Sequence, residues 1–564
     1  MRLKGLGLPP SGWSLSVLLL LYLFVGLIGH DPWKTDDAVS IGVAFDMFKS
    51  GHWFIPHLAG EPYPDAPLYY WIAAGFCSAF SWLLPAHEAA RLASGLCALL
   101  AMAFILQAAR ELYGKEYSAI APMTLAGSIG FLYHAHEAQP MLAVLMAHTA
   151  IYWAIALMPR RPWLSTAILG ISLAAAFLAD GVLPLMPLFP VLAFSLFFSE
   201  NRPASSFRVA AALLLASVLC ALWLIPLRLE APQFFTAFMS NEFDLMARLG
   251  NRPLNNGWRY LKMLLWYAWP ALPLAIWALW ARRRVLWTKS FALPFLSFAA
   301  ILFFLSFYVS RRSSVTLLFL PPLVLLAVPG LASLRRGAAN AFDWFSVIMF
   351  TFLAAVVWIV WNALVFGWPE RLARQAVRLE PGFVGNFSLS ACVFAGVITA
   401  LWLYLISTTP RLQMRCIMHW MVGLMLFWIL VAALWMPWID YGKSYRPVAV
   451  SLSKSLPKKV NCIANANSPK FFLAILDYFS GIKTVSMKSD AGARCDLLLI
   501  HGGVQEPVGM ASSGWRKLWE EKRPGDRHDD DKFRLYQRGK RAKSAAGLPG
   551  INDLSSGQDQ EELP

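Results

Sequence analysis

Asp31-Pro32-Trp33-Lys34-Thr35-Asp36-Asp37-Ala38 follows directly on an apolar stretch at residues 12–29. If that stretch crosses a membrane, two adjacent carboxylates stand at the mouth of the first span. Beside a bilayer such a pair faces partial desolvation and mutual repulsion, a cost usually met by a cation, a metal or a substrate. A turn gives a second account, with Thr35 and Asp36 capping a helix that starts near Ala38. Both accounts stand at this point.

Composition decides that the stretch is a span. Of 564 residues 58% are apolar and 15% charged, and mean hydropathy is +0.52. That is the make-up of an integral membrane protein, and several apolar runs reach the ~20 residues a crossing helix needs. Twenty-five Trp and 38 Phe suit interfacial belts and lipid-facing surfaces. Met1, Arg2 and Lys4 ahead of the first apolar run resemble a signal peptide. No small-residue cleavage site precedes His30, so an uncleaved first span is expected. The net charge of +16 lies largely in short loops between apolar segments, where it orients a membrane protein; it does not call for nucleic acid.

Apolar segments at 12–29, 89–110, 116–134, 140–158, 164–179, 182–199, 207–226, 262–281, 291–309, 315–333, 343–366, 387–407 and 417–436 predict about thirteen spans. With the N-terminus in the cytoplasm, Arg110/Lys115, Arg160/Arg161, Arg202/Arg208, Arg282/Arg283/Arg284, Arg335/Arg336 and Arg411/Arg415 all fall inside. One basic pair, Arg311-Arg312, breaks the pattern by falling outside in a connection of a few residues, which makes it a candidate anion site or a pair of snorkelling anchors. The polar residues collect in outer loops. The first carries Asp36, Asp37, Tyr63 and Asp65; the next carries His134, His136, Glu137 and Gln139; residues 227–261 carry Glu242 and Asp244. The spacing of His134, His136 and Glu137 does not support a divalent metal. The inner loops hold no phosphate-binding glycine loop.

At this point the residues carry a resemblance. Ser50-Gly51-His52-Trp53, Ile55-Pro56-His57-Leu58 and Tyr63-Pro64-Asp65-Ala66-Pro67-Leu68-Tyr69-Tyr70-Trp71 follow the acidic pair in order. The run resembles the GT-C polyprenyl-phosphate-sugar glycosyltransferases, in the branch of lipid A aminoarabinose transferases and protein O-mannosyltransferases (glycosyltransferase family 39 type). It covers roughly residues 10–335, continuing through Gln139-Pro140, Glu242 before Arg248, and Pro321-Pro322. The resemblance implies a polytopic all-α membrane protein of thirteen spans, juxtamembrane helices on the periplasmic side and a periplasmic C-terminal domain. Residues 67–84 are therefore placed along the outer membrane face, anchored by Tyr69, Tyr70 and Trp71.

Carried over position by position, Asp36 matches the family's essential first-loop aspartate and Asp37 stands where Glu is usual. Asp65 matches a family Glu, whereas Ala66 replaces a Lys that helps hold the lipid phosphate. Gln139 stands where many relatives have an Asp, Asp180 where they often have a Lys, and Phe243 where a His follows Glu242. Asp36 and Asp37 are the expected catalytic pair. Tyr63, Asp65, Glu137, Gln139 and Glu242 are expected on substrate, with Arg311 and Arg312 standing in for the absent lysines on phosphate. The implied reaction moves a sugar from a polyprenyl-phosphate donor to lipid A, a protein or another glycan, with inversion and no required cofactor. The implied location is a bacterial inner membrane. Two other classes remain: a transporter or flippase of lipid-linked sugars, and a non-catalytic relative. Against the transporter, the polar groups cluster in outer loops and no matching halves are seen.

After Trp435 the chain turns polar. Val460–Ala464, Ile482–Met487 and Asp496–His501 read as strands and Pro469–Phe479 as a helix, making a small α/β periplasmic domain over 437–540 behind the membrane domain 1–436. Residues 541–564 read as a disordered tail. Cys462 and Cys495 are the only cysteines outside the span region. In an oxidising periplasm, on neighbouring parallel strands, they are expected to form a disulfide.

Overall fold

Lipid supplies no hydrogen-bond partner, so an apolar segment satisfies its backbone there by winding into a helix. All thirteen apolar segments contain helix among their described residues. The computed structural model describes residues 19–197, 199, 201–249, 255–307, 313–410, 414–487, 489–503, 514–526 and 532–539. By length and composition, eight helices of this part are able to cross a membrane, or up to nine if a bent pair counts as one span. The protein is a multi-pass membrane protein.

That bent pair corrects one expectation. Residues 262–281 read as a single span, but Asn256–Tyr267 and Ala271–Ala281 meet at 106°. Pro270 stands at the N-cap of the second helix, where its missing N–H cannot continue the first. Leu68–Phe80, with 13 residues, reaches about 20 Å and falls short of a ~30 Å hydrocarbon core. That length suits a helix lying along the membrane face.

Where helices pack, small side chains let the backbones approach, since lipid offers no hydrophobic drive between them. Ala86–Tyr113 is the clearest case. Its Ala89, Ala90, Ala93, Cys97, Ala98, Ala101, Ala108 and Ala109 are all fully buried, and it packs closely against Met141–Leu157.

The last span, Arg415–Leu434, leads through the short helix Met436–Lys443 into a five-stranded sheet. The spatial order is Val485–Ser486, Ile463–Asn465, Leu497–Gly502, Lys532–Arg538, Trp515–Lys522. The first three strands are parallel and the last two antiparallel. The helix expected at 469–479 is Lys470–Ser480. Cys462 and Cys495 each sit just ahead of one of two paired parallel strands, with Cα atoms 4.9 Å apart, and are joined by a disulfide. Trp515–Lys522 and Lys532–Arg538 add two strands to the sheet expected from the sequence.

This sheet domain grips the loop that follows the first apolar segment. Its helix Lys470–Ser480 packs on Asp36–Ser50, and Gly42 makes the close approach possible: a Cβ there would lie 2.6 Å from Ala474 Cβ. Lys483 pairs with Asp46 at 3.4 Å, Asp46 also accepts from Gly60 N–H, and Tyr478 OH meets His87 Nδ1 at 2.7 Å.

Candidate active site

Asp36 and Asp37 occupy the first turn of the helix Asp36–Ser50, where the helix dipole favours carboxylates. Thr35, at the N-cap, makes no side-chain capping bond. The two carboxylates have different surroundings. Asp37 is 1% exposed and accepts four hydrogen bonds. Oδ1 takes Arg91 Nε at 3.0 Å and Ala138 N at 2.7 Å; Oδ2 takes the second Arg91 contact at 2.7 Å and Trp33 N at 2.9 Å. Burial alone would push this carboxyl up, but the paired Arg91 guanidinium outweighs it and holds the group at about 2. Arg91 is itself fully buried, and its remaining N–H groups donate to the carbonyls of His30 and Asp31. The pair ties the first span's exit, the loop helix and the turn at Ala138 to one point. Asp37 therefore has its acceptors filled by protein.

Asp36, one residue earlier, is half-buried and accepts at 3.1 Å from Gln139 Nε2. Gln139 is held in turn. Its backbone N–H donates to Ser94 Oγ at 3.2 Å, and Ser94 donates its own proton to the Glu137 carbonyl at 2.6 Å. A hydroxyl has one proton, so Tyr69 OH must be the donor in its 2.8 Å bond to Ser94. The turn 137–139 is thus pinned from Ala86–Tyr113 and Leu68–Phe80 together. It brings Glu137 and Gln139 beside Asp36 and Asp37. Burial, followed by the charge of Asp37, pushes the Glu137 carboxyl well above the usual range, while Lys443 opposes the rise.

Lys443 is the residue that sequence reasoning passed over. It is exposed at the end of the short helix after the last span, and its Nζ lies 4.3 Å from the Trp33 ring. The same segment is bonded along the Asp31–Asp37 loop. Asp440 Oδ1 accepts from Asp31 N–H and from Trp33 Nε1, both at 2.9 Å, and Ser444 Oγ donates to Asp31 Oδ2 at 2.7 Å. About four hundred residues separate the partners (407 for Trp33 and Asp440), so no local signal announces them.

Asp65 and Glu242 form a second acidic group. Tyr70 OH and Ala66 N–H both donate to Asp65, at 2.7 and 2.8 Å. Glu242 accepts from Val182 N–H at 2.8 Å, and burial, with Asp65 adding to it, raises its carboxyl. Gly181 at φ +65° allows this contact, because a Cβ there would collide with the Glu242 carboxylate. Tyr63 lies under Lys470 of the sheet domain, with Nζ 4.8 Å from its ring. Arg311 and Arg312, and the side chain of Arg248, fall outside the described residues. Both ring nitrogens of His136 engage backbone carbonyls, of Leu132 and Tyr22. Among the described residues no three His, Cys, Asp or Glu side chains group as a metal site.

The fold of this chain matches the crystal structure of ArnT from Cupriavidus metallidurans bound to undecaprenyl phosphate. The TM-score is 0.68 at 14% identity, over 93% of this chain and 98% of that one. The same protein in the apo state gives 0.65 at 14% identity with the same coverage. In sequence, the chain is 28% identical over 289 residues to undecaprenyl phosphate-alpha-4-amino-4-deoxy-L-arabinose arabinosyl transferase 1 of Sodalis glossinidius, covering 48% of this chain and 50% of that protein. A 64-residue match to the corresponding transferase of Edwardsiella ictaluri is 36% identical, over 11% and 12% of the two chains. The match thus spans half or less of each curated relative. No protein-family profile matches the chain.

Proposed function

We propose that the chain is a membrane glycosyltransferase that moves a sugar from a polyprenyl-phosphate donor to an acceptor at the outer face of the bacterial inner membrane. The names of the two curated relatives favour undecaprenyl phosphate-linked 4-amino-4-deoxy-L-arabinose as the donor, and a lipid A-type acceptor is the one that the first-loop resemblance implies. The observation that carries the reading is the division of labour in the acidic pair. Asp37 is saturated by Arg91, Ala138 and Trp33, and that leaves Asp36 half-exposed and aimed by a single amide bond from Gln139.

In the reaction, an acceptor oxygen attacks the anomeric carbon while the bond to the donor phosphate breaks. The leaving polyprenyl phosphate keeps the bonding electron pair, and one displacement inverts the centre. Asp36 takes the acceptor's proton, or positions an acceptor that is itself a phosphate and has none to give. Asp37 is a positioning residue acting through Arg91. Glu137, Asp65, Tyr63 and Glu242 face the sugar and acceptor. Lys443, with Arg311 and Arg312, meets the negative charge of the departing phosphate.

Asp36→Asn keeps the shape and the Gln139 neighbour but removes the charge. Transfer of labelled sugar from a polyprenyl-phosphate donor in membranes should fall by about 10²–10³-fold, with thermal stability near wild type. Full transfer by the variant would remove Asp36 from the chemistry. No transfer by wild type to any lipid, protein or glycan acceptor would remove the activity itself.

A further inference from the structure

The connection between the spans Arg336–Phe366 and Leu389–Thr408 contains a helix, Glu370–Leu379, that takes no part in the acidic site. Only residues 367–369 separate it from the preceding span, so it lies at the boundary between lipid and water. It packs on that span, where Ala376 is buried and Leu372 and Ala373 are half-buried. Arg371, Arg374 and Arg378 recur at i, i+3 and i+7 and so share one face. All three are exposed, and among the described residues none has an ion-pair or hydrogen-bond partner. Beside them Val377 and Leu379 are 58% and 40% exposed, flanked by exposed Trp368, Val384 and Phe387. An apolar flank that no described residue covers, next to three guanidinium groups with no partner among the described residues, is complementary at headgroup depth to one kind of partner: a lipid with an anionic phosphate head.

We infer that the Arg371/Arg374/Arg378 face is a binding site for anionic phospholipid headgroups, with the apolar flank seated among their acyl chains. Guanidinium forks bind phosphate oxygens bidentately and are weakly hydrated, which suits them to this depth. The site is on the same end of the molecule as the acidic pair. Tyr441 OH donates to the Pro381 carbonyl at 3.1 Å, and the Phe383 and Tyr441 rings lie 5.6 Å apart. Tyr441 is two residues from Lys443, on the segment bonded to the Asp31–Asp37 loop. Lipid held by the arginines therefore sits at the rim of the candidate active site. The inference does not depend on the chain being a transferase.

The test is titration of the detergent-solubilised full-length chain with fluorescent phosphatidylglycerol, and in parallel with fluorescent phosphatidylcholine. Each basic side chain near a charged headgroup is worth roughly a fivefold change. Arg371→Gln, Arg374→Gln and Arg378→Gln combined should therefore weaken phosphatidylglycerol binding on the order of 100-fold. Phosphatidylcholine binding should hardly change. Arg374→Gln alone, which disturbs least, should lose about fivefold, and the triple Lys variant should recover most of the affinity. Unchanged phosphatidylglycerol affinity in both Gln variants overturns the proposal, as does a Lys variant as weak as the Gln one. Millimolar inorganic phosphate that binds the wild type in an arginine-dependent way, while phosphatidylglycerol does not, replaces the lipid surface with a free anion site and also overturns it.

Discussion

Two ends of the helical unit each bury an aspartate against an arginine, and the pairs differ in what they leave over. At the site end, Asp37 and Arg91 are 1% and 0% exposed, every oxygen of the carboxylate has its donors, and a second carboxylate, Asp36, stands beside them with one amide contact. At the other end, near the start of the helices Arg336–Phe366 and Arg415–Leu434, Asp343 pairs with Arg415 at 3.1 Å and with His419 Nδ1 at 2.7 Å. No further carboxylate accompanies it in these bonds, and Arg415 is partly exposed. A buried ion pair is weak ground for stability as such, yet removing one partner strands a charge. Both pairs staple helices together. At the site end the staple also sets a neighbouring carboxylate at the surface, and that is the end where chemistry is expected.

The largest effect should come from Arg91→Met, which leaves Asp37 buried without its counter-ion. A loss of about 3–5 kcal/mol is expected, read as a collapse of the thermal unfolding temperature in detergent. Asp343→Asn should cost less, about 1–2 kcal/mol, because Arg415 reaches water and His419 keeps a hydrogen-bond partner. Sugar transfer should survive Asp343→Asn once the protein is folded. If Asp343→Asn destabilises as much as Arg91→Met, or abolishes transfer, the contrast between the two ends fails.

Much of this architecture was legible. Hydropathy located the helices because a bilayer gives an apolar run one stable conformation. The positions of Cys462 and Cys495 around a parallel strand pair followed from alternation and apolar runs. The bend at Pro270 was missed because the flanking residues Leu261–Trp269 are apolar enough to pass for a continuous span. The strands Trp515–Lys522 and Lys532–Arg538 were not singled out, although Trp515 and Trp519, and Phe533 and Leu535, place buried side chains at even spacing between charged neighbours. Of the site, Asp36, Asp37, Glu137 and Gln139 were found as residues, but which of the two aspartates is saturated was not. That depends on Arg91, near the start of an Ala-rich span with no motif around it. Lys443 was illegible for a different reason: it is brought to Trp33 only by the closure of the sheet domain over the first loop. Arg371, Arg374 and Arg378 did carry a sequence signal, helical spacing on one face, in a connection otherwise read only as the gap between two spans.

The smallest expected effect tests whether the site end bears a surplus of negative charge. Glu137 is half-buried near Asp37 and Asp36, and its carboxyl is pushed up to about 8, by burial first and by those charges next. The folded protein therefore keeps a proton on Glu137 that the unfolded chain releases near the ordinary carboxylate value. Between the two values the unfolded state binds fewer protons, so this group makes stability fall as pH rises, and the fall levels off above about 8. Below the ordinary value both states are protonated and the contribution is at its full value. Glu137→Gln removes the titration. Wild type and variant should unfold at similar temperatures at pH 5, whereas at pH 8 the variant should gain on wild type by on the order of 1 kcal/mol, a figure kept small because water reaches part of the group. If Glu137→Gln instead loses ground to wild type between pH 5 and 8, Glu137 is ionised and held by a cation. Lys443 would then be its partner, and no longer a group free to meet the donor's phosphate.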